Sequence, residues 1–497
     1  VGSIPMRLRH SNRNANLRVF MDSETSNQLR KLPSISDFLE SDAGKTLSQE
    51  FGKGLTKLAL NTCLHSARET IRNNPGTPAP DNAALQHRIT ANLTRWTNPE
   101  ARRVLNATGI LLHTGLGRAP MSAAASQAMV SASGSTPVEI DPLTGKRSIR
   151  GEYCERMLKQ LTGCEAVIVV NNNAAATFLI LNTIAENKEV IISRGQLIEI
   201  GGSYRLPDVM NQSRALMKEV GTTNRTHLSD YHKAINEATG ALIHVHTSNF
   251  RIRGFCGTPD VQELAKLAHK HHLPLIADIG SGALIDLQPL GIPDEPLVQE
   301  AISNGADLVC FSGDKLLGGP QCGIICGSRK WIDQIRSNSF TRMFRIGKLI
   351  YAALESTLVS FVNQTIQDDL PIYEMMNRSL EQIGKDAELL LSKLPDHLPF
   401  KVVIEDDVSY IGGGSVPDEG IPTKVIKLKL SESPESMGGI ESFATRLRRS
   451  IPSVFARIND EAVLLDLRTV QREDLTKLGT ILNRTLTDHF ESENSNG

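Results

Sequence analysis

Between about residues 100 and 330 the chain alternates short apolar runs with helix-length stretches, and this rhythm constrains the fold more than any other feature. The runs are Ala166–Val170, Glu189–Ser193, Ala241–His246, Leu275–Asp278, Leu308–Phe311 and Gly323–Cys326, and stretches such as Asp260–His271 lie between them. Such alternation predicts an α/β fold, a mostly parallel sheet flanked by helices. Strands buried on both faces read as continuous apolar runs, and these do. Gly and small polar residues follow several of them, which marks the end of an open sheet where ligands bind.

The flanking segments read differently. Residues 1–32 lack apolar periodicity and read as a flexible basic leader. From Ser34 to Arg72, Ile35, Phe38, Leu39, Leu55, Leu58, Ala59, Leu60, Leu64 and Ile71 recur at helical spacing, which predicts a small helical domain over 33–74. Asn73-Asn74-Pro75-Gly76-Thr77-Pro78-Ala79-Pro80 reads as a linker, so 75–99 is assigned as linker and helix. The large α/β domain is placed at 100–347. A helical connector over 348–395 leads into a smaller α+β unit that ends at 490. Its signals are β-like runs at Lys401–Ile404 and Val425–Leu430, a helix around Ile440–Ser450, and runs at Phe455–Ile458 and Ala462–Leu467. Residues 491–497 read as frayed.

Charge and composition narrow the function. Residues 1–103 carry 15 Lys and Arg against 9 Asp and Glu, and the remainder 39 against 46. A basic N-terminal part points to a polyanion, or else to a solvated leader. Aromatics make up only 4%, which argues against rows of base-stacking rings. No apolar run approaches the roughly 18 residues of a membrane span, and residues 1–21 have no apolar core of a signal peptide. Seven cysteines in so long a chain suggest a reducing compartment rather than a disulfide framework. A cytoplasmic location is therefore expected. Cys322 and Cys326 have no further ligands at metal-binding spacing and read as buried structural thiols.

Three elements carry chemistry. Phe311-Ser312-Gly313-Asp314-Lys315, followed by Gly318-Gly319, places one lysine among small residues after a strand. Such an amine, partly buried and deprotonated, can form a Schiff base; an exposed loop lysine is the plain alternative. Upstream, Asp278 ends a buried strand ahead of Gly280-Ser281-Gly282. A buried carboxylate needs a partner, and a protonated pyridine nitrogen is one; a turn cap is the other reading. Asn171-Asn172-Asn173-Ala174 follows a strand and opens a helix, where backbone N–H groups bind phosphate or where Asn merely caps. Phosphate cup, Asp and Lys in that chain order point to a fold-type-I pyridoxal-phosphate enzyme. Ser312 and Ser281 are candidate cofactor contacts. His246 ends the preceding strand, where it either lies near the ring or is a core histidine.

At this point the chain resembles the bacterial selenocysteine synthases, the L-seryl-tRNA(Sec) selenium transferases. The resemblance rests on Leu105-Asn-Ala-Thr-Gly-Ile-Leu-Leu-His113-Thr-Gly-Leu-Gly117-Arg118-Ala119, Val170-Asn-Asn-Asn-Ala-Ala-Ala176, Ser193-Arg194-Gly195, Glu199-Ile-Gly-Gly202, Glu219-Val-Gly-Thr-Thr-Asn-Arg-Thr-His227, Val245-His-Thr-Ser-Asn249 and Phe311-Ser-Gly-Asp-Lys-Leu-Leu-Gly-Gly-Pro-Gln321. It runs from about 30 to 470. It implies a β-replacement in which seryl-tRNA(Sec) displaces Lys315 from pyridoxal 5′-phosphate and loses its hydroxyl. The resulting dehydroalanyl intermediate then takes selenium from selenophosphate. It further implies that Lys315 is the base, that Asp314 assists proton transfer, and that Arg118, Arg342 and Arg345 bind the donor. The N-terminal domain would read tRNA, and the enzyme would be a large ring-like homo-oligomer such as a decamer, with sites shared between subunits.

Gly115, Phe250 and the run Gly145-Lys-Arg-Ser-Ile-Arg150 depart from the family's usual residues; they bear on substrate more than on cofactor. Two other readings stay open on the sequence: a lyase or racemase of this fold acting on a small amino acid, and a non-catalytic RNA-binding scaffold.

Overall fold

The computed structural model describes residues 23–97, 101–201, 204–293, 295–395, 400–412, 420–430 and 439–494. The chain divides into two compact units, residues 1–102 and 103–497.

The first unit is helical. Its longest helix, Lys53–Asn73, buries Ala59, Leu60, Cys63, Leu64, Ala67 and Ile71, the i, i+3, i+4 stripe of an amphipathic helix. Two expectations are corrected here. The leader assigned to 1–32 contains the helix Ser23–Arg30, and Leu29 and Leu32 pack on the unit's core; residues 1–22 lie outside the described residues. The helical domain placed at 33–74 extends further: the helix expected within 75–99 runs over Asn82–Thr97, and its Leu85, Ile89 and Leu93 are fully buried in that same core. Apolar residues at i, i+4 and i+8 give this helix one face to bury, so it completes the domain.

The second unit holds two large sheets and an antiparallel pair, Glu199–Ile200 with Tyr204–Arg205. The larger has seven strands in the order Ala166–Val170, Gly323–Gly327, Leu308–Ser312, Leu275–Gly280, Thr239–Val245, Glu189–Ser193, Leu216–Val220. Gly323–Gly327 runs antiparallel to both its neighbours and the other pairings are parallel. Alternate side chains enter opposite cores: Val167 and Val169 pack on one face, Ala166, Ile168 and Val170 on the other. Full burial of Ala166–Val170 and of Leu308–Ser312 explains their unbroken apolar sequence.

The smaller sheet has five strands, in the order Leu105–Ala107, Val454–Asn459, Ala462–Asp466, Gly420–Leu430, Phe400–Tyr410. Leu380–Leu391, Gly439–Arg449 and Leu475–Asn494 supply helical residues to its core. Leu105–Ala107, assigned by sequence to the large domain, pairs in parallel with Val454–Ala456 instead. The chain then bridges Thr108 to Asp466 and Ile110 to Tyr410 before reaching Arg118. The end read as frayed at 491–497 is helical as far as Asn494; residues 495–497 lie outside the described residues. Among the described residues no helix is long and apolar enough to cross a membrane.

Candidate active site

The C-terminal ends of the parallel strands converge on a cavity of about 220 Å³. Lys315 lies in the connection between the strands Leu308–Ser312 and Gly323–Gly327. That connection is pinned on several sides. The Leu316 amide donates to the Ser281 carbonyl at 3.0 Å, and the Gly313 amide to Cys322 at 2.8 Å. Tyr373 Oη donates to the Leu316 carbonyl at 2.7 Å. Leu316 and Leu317 are fully buried and act as anchors. Gly282 stands behind the loop with φ +75°, where a Cβ would lie 2.7 Å from the Phe311 ring and 2.8 Å from the Ser312 carbonyl, so only glycine fits. Lys315 is 5% exposed. Burial and then the nearby Arg118 cation lower its pKa to about 8, against the opposite pull of Asp278, Asp314 and Glu295.

Asp278 is 5% exposed at the end of its strand. Its carboxylate accepts from Asn173 Nδ2 at 2.9 Å and from Thr177 Oγ1 at 3.0 Å. Burial nevertheless holds its pKa above the ordinary carboxylate value, with those two hydrogen bonds and Lys315 acting the other way. A carboxylate in this position gains from a facing cation. Asn172 caps the 12-residue helix Asn173–Ile184, accepting from the Ala175 amide at 2.8 Å. That helix end and Ala174 line the cavity. Asp314 accepts from Arg118 Nη1 at 2.8 Å, and its carbonyl accepts from the Ala119 amide at 3.2 Å. His246 lines the cavity with a pKa lowered to about 4, chiefly by burial, so the ring is neutral near pH 7.

These residues fit a flat, phosphorylated pyridine aldehyde. The amine suits the aldehyde and the buried acid suits a ring N–H. The helix N-terminus suits a phosphate. Asn173 Oδ1, buried without a hydrogen-bond partner, is a further acceptor in the cavity wall. Gly280, beside Lys315 Nζ, takes φ +73°, a left-handed conformation that favours glycine.

The structure thus brings together Arg118, Asn172, Asn173, Ala174, His246, Asp278, Ser312, Asp314 and Lys315. Three expected residues fall elsewhere. Ser281 is fully buried and is not among the residues lining the cavity; its carbonyl holds Leu316, and its hydroxyl is buried without a hydrogen-bond partner. Arg342 and Arg345 line a separate cavity of about 410 Å³ with Glu139, Arg150 and Arg336. They follow the strand edge at Val170, to which Arg345 bridges, so within one chain they do not join Arg118. The divergent run 145–150 borders this second cavity, where Arg147 and Arg150 both pair with Glu139. Phe250 packs at the edge of the core, and Gly115 lies in the turn Thr114–Leu116.

Sequence reading missed Thr177, Tyr204 and Glu295. Thr177 sits one helical turn after Asn173, a spacing that puts both side chains on the face toward Asp278. Tyr204 lines the cavity. Glu295, its side chain 2% exposed, lies 3.8 Å from His246 Nε2; nothing local in its sequence marks it. Among the described residues no group of His, Cys, Asp and Glu is arranged to hold a metal ion.

Comparison with known proteins bears on this geometry. Residues 104–471 match the family described as L-seryl-tRNA selenium transferase. An L-seryl-tRNA(Sec) selenium transferase of Alkaliphilus metalliredigens is 49% identical over 378 residues, 75% of this chain and 79% of that protein. One from Clostridium botulinum is 41% identical over 450 residues, 90% of this chain and 96% of its own. Among solved structures, D-glucosaminate-6-phosphate ammonia-lyase is similar with TM-score 0.54 and 21% identity, covering 78% of this chain and 96% of that one. That likeness is one of fold, the fold-type-I architecture of pyridoxal-phosphate enzymes.

Proposed function

The chain belongs to the L-seryl-tRNA selenium transferase family, and from that premise we propose that it converts L-seryl-tRNA(Sec) to L-selenocysteinyl-tRNA(Sec), with pyridoxal 5′-phosphate held at Lys315 and selenophosphate as selenium donor. The observation that carries this reading is the pairing of two unusual groups in one cavity. Lys315 has its amine pulled toward the neutral form, and Asp278 is a buried acid held by two uncharged donors.

Bound there, the cofactor would supply an electron sink for the carbanion at the serine Cα. Asp278 would hold the ring proton, and Asn173 and Thr177 keep its carboxylate aimed. Lys315, with a pKa near neutrality, can take a proton from Cα and return it. Asp314, fixed by Arg118, places a carboxylate beside that amine; it would stabilise the ammonium formed when Lys315 takes the Cα proton and assist Lys315 in passing that proton to the departing β-hydroxyl. The neutral His246 ring offers a flat face without adding charge. Asn172, Asn173 and Ala174 would receive the phosphate at the helix N-terminus, and Ser312 offers one more hydroxyl.

Arg118, Arg342 and Arg345 suit a tetrahedral oxyanion, because guanidinium forks match it. Arg342 and Arg345 border a different cavity from Arg118 in the same chain. We therefore assign them to the site of a neighbouring copy in a homo-oligomer. The surplus of basic residues over 1–103 suits contacts to RNA phosphates, which supports the N-terminal unit as the tRNA-reading part.

The test is conversion of seryl-tRNA(Sec) with selenophosphate by wild type, Lys315→Ala and Arg342→Ala. Lys315→Ala should yield no selenocysteinyl-tRNA. Arg342→Ala should still eliminate the serine hydroxyl but incorporate little selenium. Wild-type turnover by Lys315→Ala would overturn the assignment.

A further inference from the structure

A second cavity, of about 210 Å³, opens at the same edge of the large sheet. His246 lines both it and the lysine cavity, so one imidazole ring is common to the two walls. The other walls come from turns that follow the strands ending at Ser193, Val220 and Val245. Apart from His246, none of the residues of these turns that line this second cavity also lines the lysine cavity.

The lining is suited to a nucleoside. Thr222, Thr223, Asn224 and Thr226 offer hydroxyl and amide groups, while Val245 and Ile252 offer apolar surface. No carboxylate is among the lining residues, and Arg225 is. A polyanion entering here meets a cation and no carboxylate in the wall itself.

The mouth carries a second observation. Phe255 is 78% exposed, and the Arg225 guanidinium lies over its ring, 4.6 Å from the centroid. Arg251 and Arg253 are on the same loop. This loop has a fixed frame: Asn224 Nδ2 donates to the Phe255 carbonyl at 2.5 Å, the Gly257 amide to Asn224 at 3.0 Å, and the Thr226 amide to Gly257 at 2.9 Å. An exposed ring on a hydrogen-bonded loop, with one guanidinium over it, is a platform on which an unpaired base stacks. The chain's low aromatic content bars a row of such rings; a single one is enough for one nucleotide.

We propose that this cavity receives the 3′-terminal nucleoside of the aminoacylated RNA, and that Phe255 with Arg225 holds the preceding unpaired nucleotide at its mouth. The inference rests on the activity proposed above. In that reaction serine is an ester of the terminal ribose. With the serine Cα at Lys315, the ribose lies only a few bonds away, and the compartment across His246 is the one it meets. A free small amino acid would leave this compartment unused.

The test uses the full-length, cofactor-loaded protein and seryl-tRNA(Sec) whose terminal nucleoside is replaced by 2-azidoadenosine. Irradiation should cross-link it to the peptides spanning 222–226 or 252–258. In steady-state assays with unmodified seryl-tRNA(Sec), Phe255→Ala and Arg225→Ala should each raise KM roughly tenfold while kcat stays within about twofold, as loss of one stacking contact predicts. Phe255 is exposed, so its removal does not threaten the fold. Cross-linking confined to other segments, or wild-type KM in both variants, overturns the subsite and leaves the reaction standing. Failure of the wild type to retain seryl-tRNA(Sec) on a filter overturns both readings.

Discussion

Replacing Arg118 with Gln tests how the site sets the reactivity of its lysine. An ordinary lysine titrates near 10.5, and Lys315 is lowered to about 8. That gap corresponds to roughly 3 kcal/mol favouring the neutral amine, at 1.36 kcal/mol for each pH unit. Burial is the largest cause and the Arg118 cation the next. Removing Arg118 deletes a positive charge near the ammonium. It also strips Asp314 of its 2.8 Å partner, leaving an uncompensated carboxylate next to the lysine. Both changes favour the protonated amine, so the midpoint should move upward by about one pH unit, the ~1.4 kcal/mol that one charge contact contributes in a partly buried site. At pH 7 the neutral fraction would fall from about one tenth to about one hundredth. The assay is competitive labelling of the apo protein with a trace of acetic anhydride across pH 6–11, read by mass spectrometry on the peptide containing Lys315. Wild type should show half-maximal labelling near pH 8, and Arg118→Gln a higher midpoint. Capture of pyridoxal phosphate at pH 7 should slow by about tenfold. An ordinary lysine midpoint in wild type, or a lowered one in the variant, would refute the reasoning.

Other perturbations have defined outcomes. Asp278 is held above its ordinary pKa by burial, so the folded apo protein binds that proton more tightly than the unfolded chain, and this group's contribution turns against folding as pH rises past the unfolded value. Asp278→Asn should therefore match or exceed the wild-type apo Tm at pH 7 while losing at least about tenfold in cofactor affinity; a lower Tm with unchanged cofactor binding would contradict this. Gly282→Ala forces a Cβ into the Phe311 ring at a left-handed position, and should cost about 1–3 kcal/mol and loosen the Lys315 loop, seen as faster amide exchange over 313–319. Arg468, fully buried, donates to the carbonyls of Met375, Arg378 and Pro422. Its replacement by Ala should destabilise the second unit by about 3–5 kcal/mol in urea unfolding; a loss below about 1 kcal/mol would show that water replaces those contacts.

How much of this could be read from the sequence depended on how locally each feature is determined. Ala166–Val170 and Glu189–Ser193 were legible because burial on both faces demands unbroken apolar sequence. Leu216–Val220 was not, because it is the edge strand of the sheet: Leu216 is 54% exposed, and Lys218 reaches across to Glu189. Leu105–Ala107 has three residues and is fixed by pairing with Val454–Ala456, a partner no local pattern reveals. A helix within 75–99 was expected, but the proline-rich stretch before Asn82–Thr97 hid that its Leu85, Ile89 and Leu93 complete the N-terminal core. In the site, Lys315, Asp278 and Asn172–Ala174 stood out because each ends or follows a buried strand. Ser281 is absent from the cavity lining because the chain leaves the strand there between two left-handed glycines, Gly280 and Gly282, which no spacing rule anticipates. Spacing along the sequence could not reveal that Arg342 and Arg345 border another cavity than Arg118.

The central claim, that Lys315 and no other lysine anchors the cofactor, is tested most directly by reducing the pyridoxal-phosphate-loaded protein with borohydride and mapping its peptides by mass spectrometry. One phosphopyridoxyl group per chain is expected, on the Nζ of Lys315. The same group on a different lysine, or no modification in a cofactor-saturated sample, would contradict it.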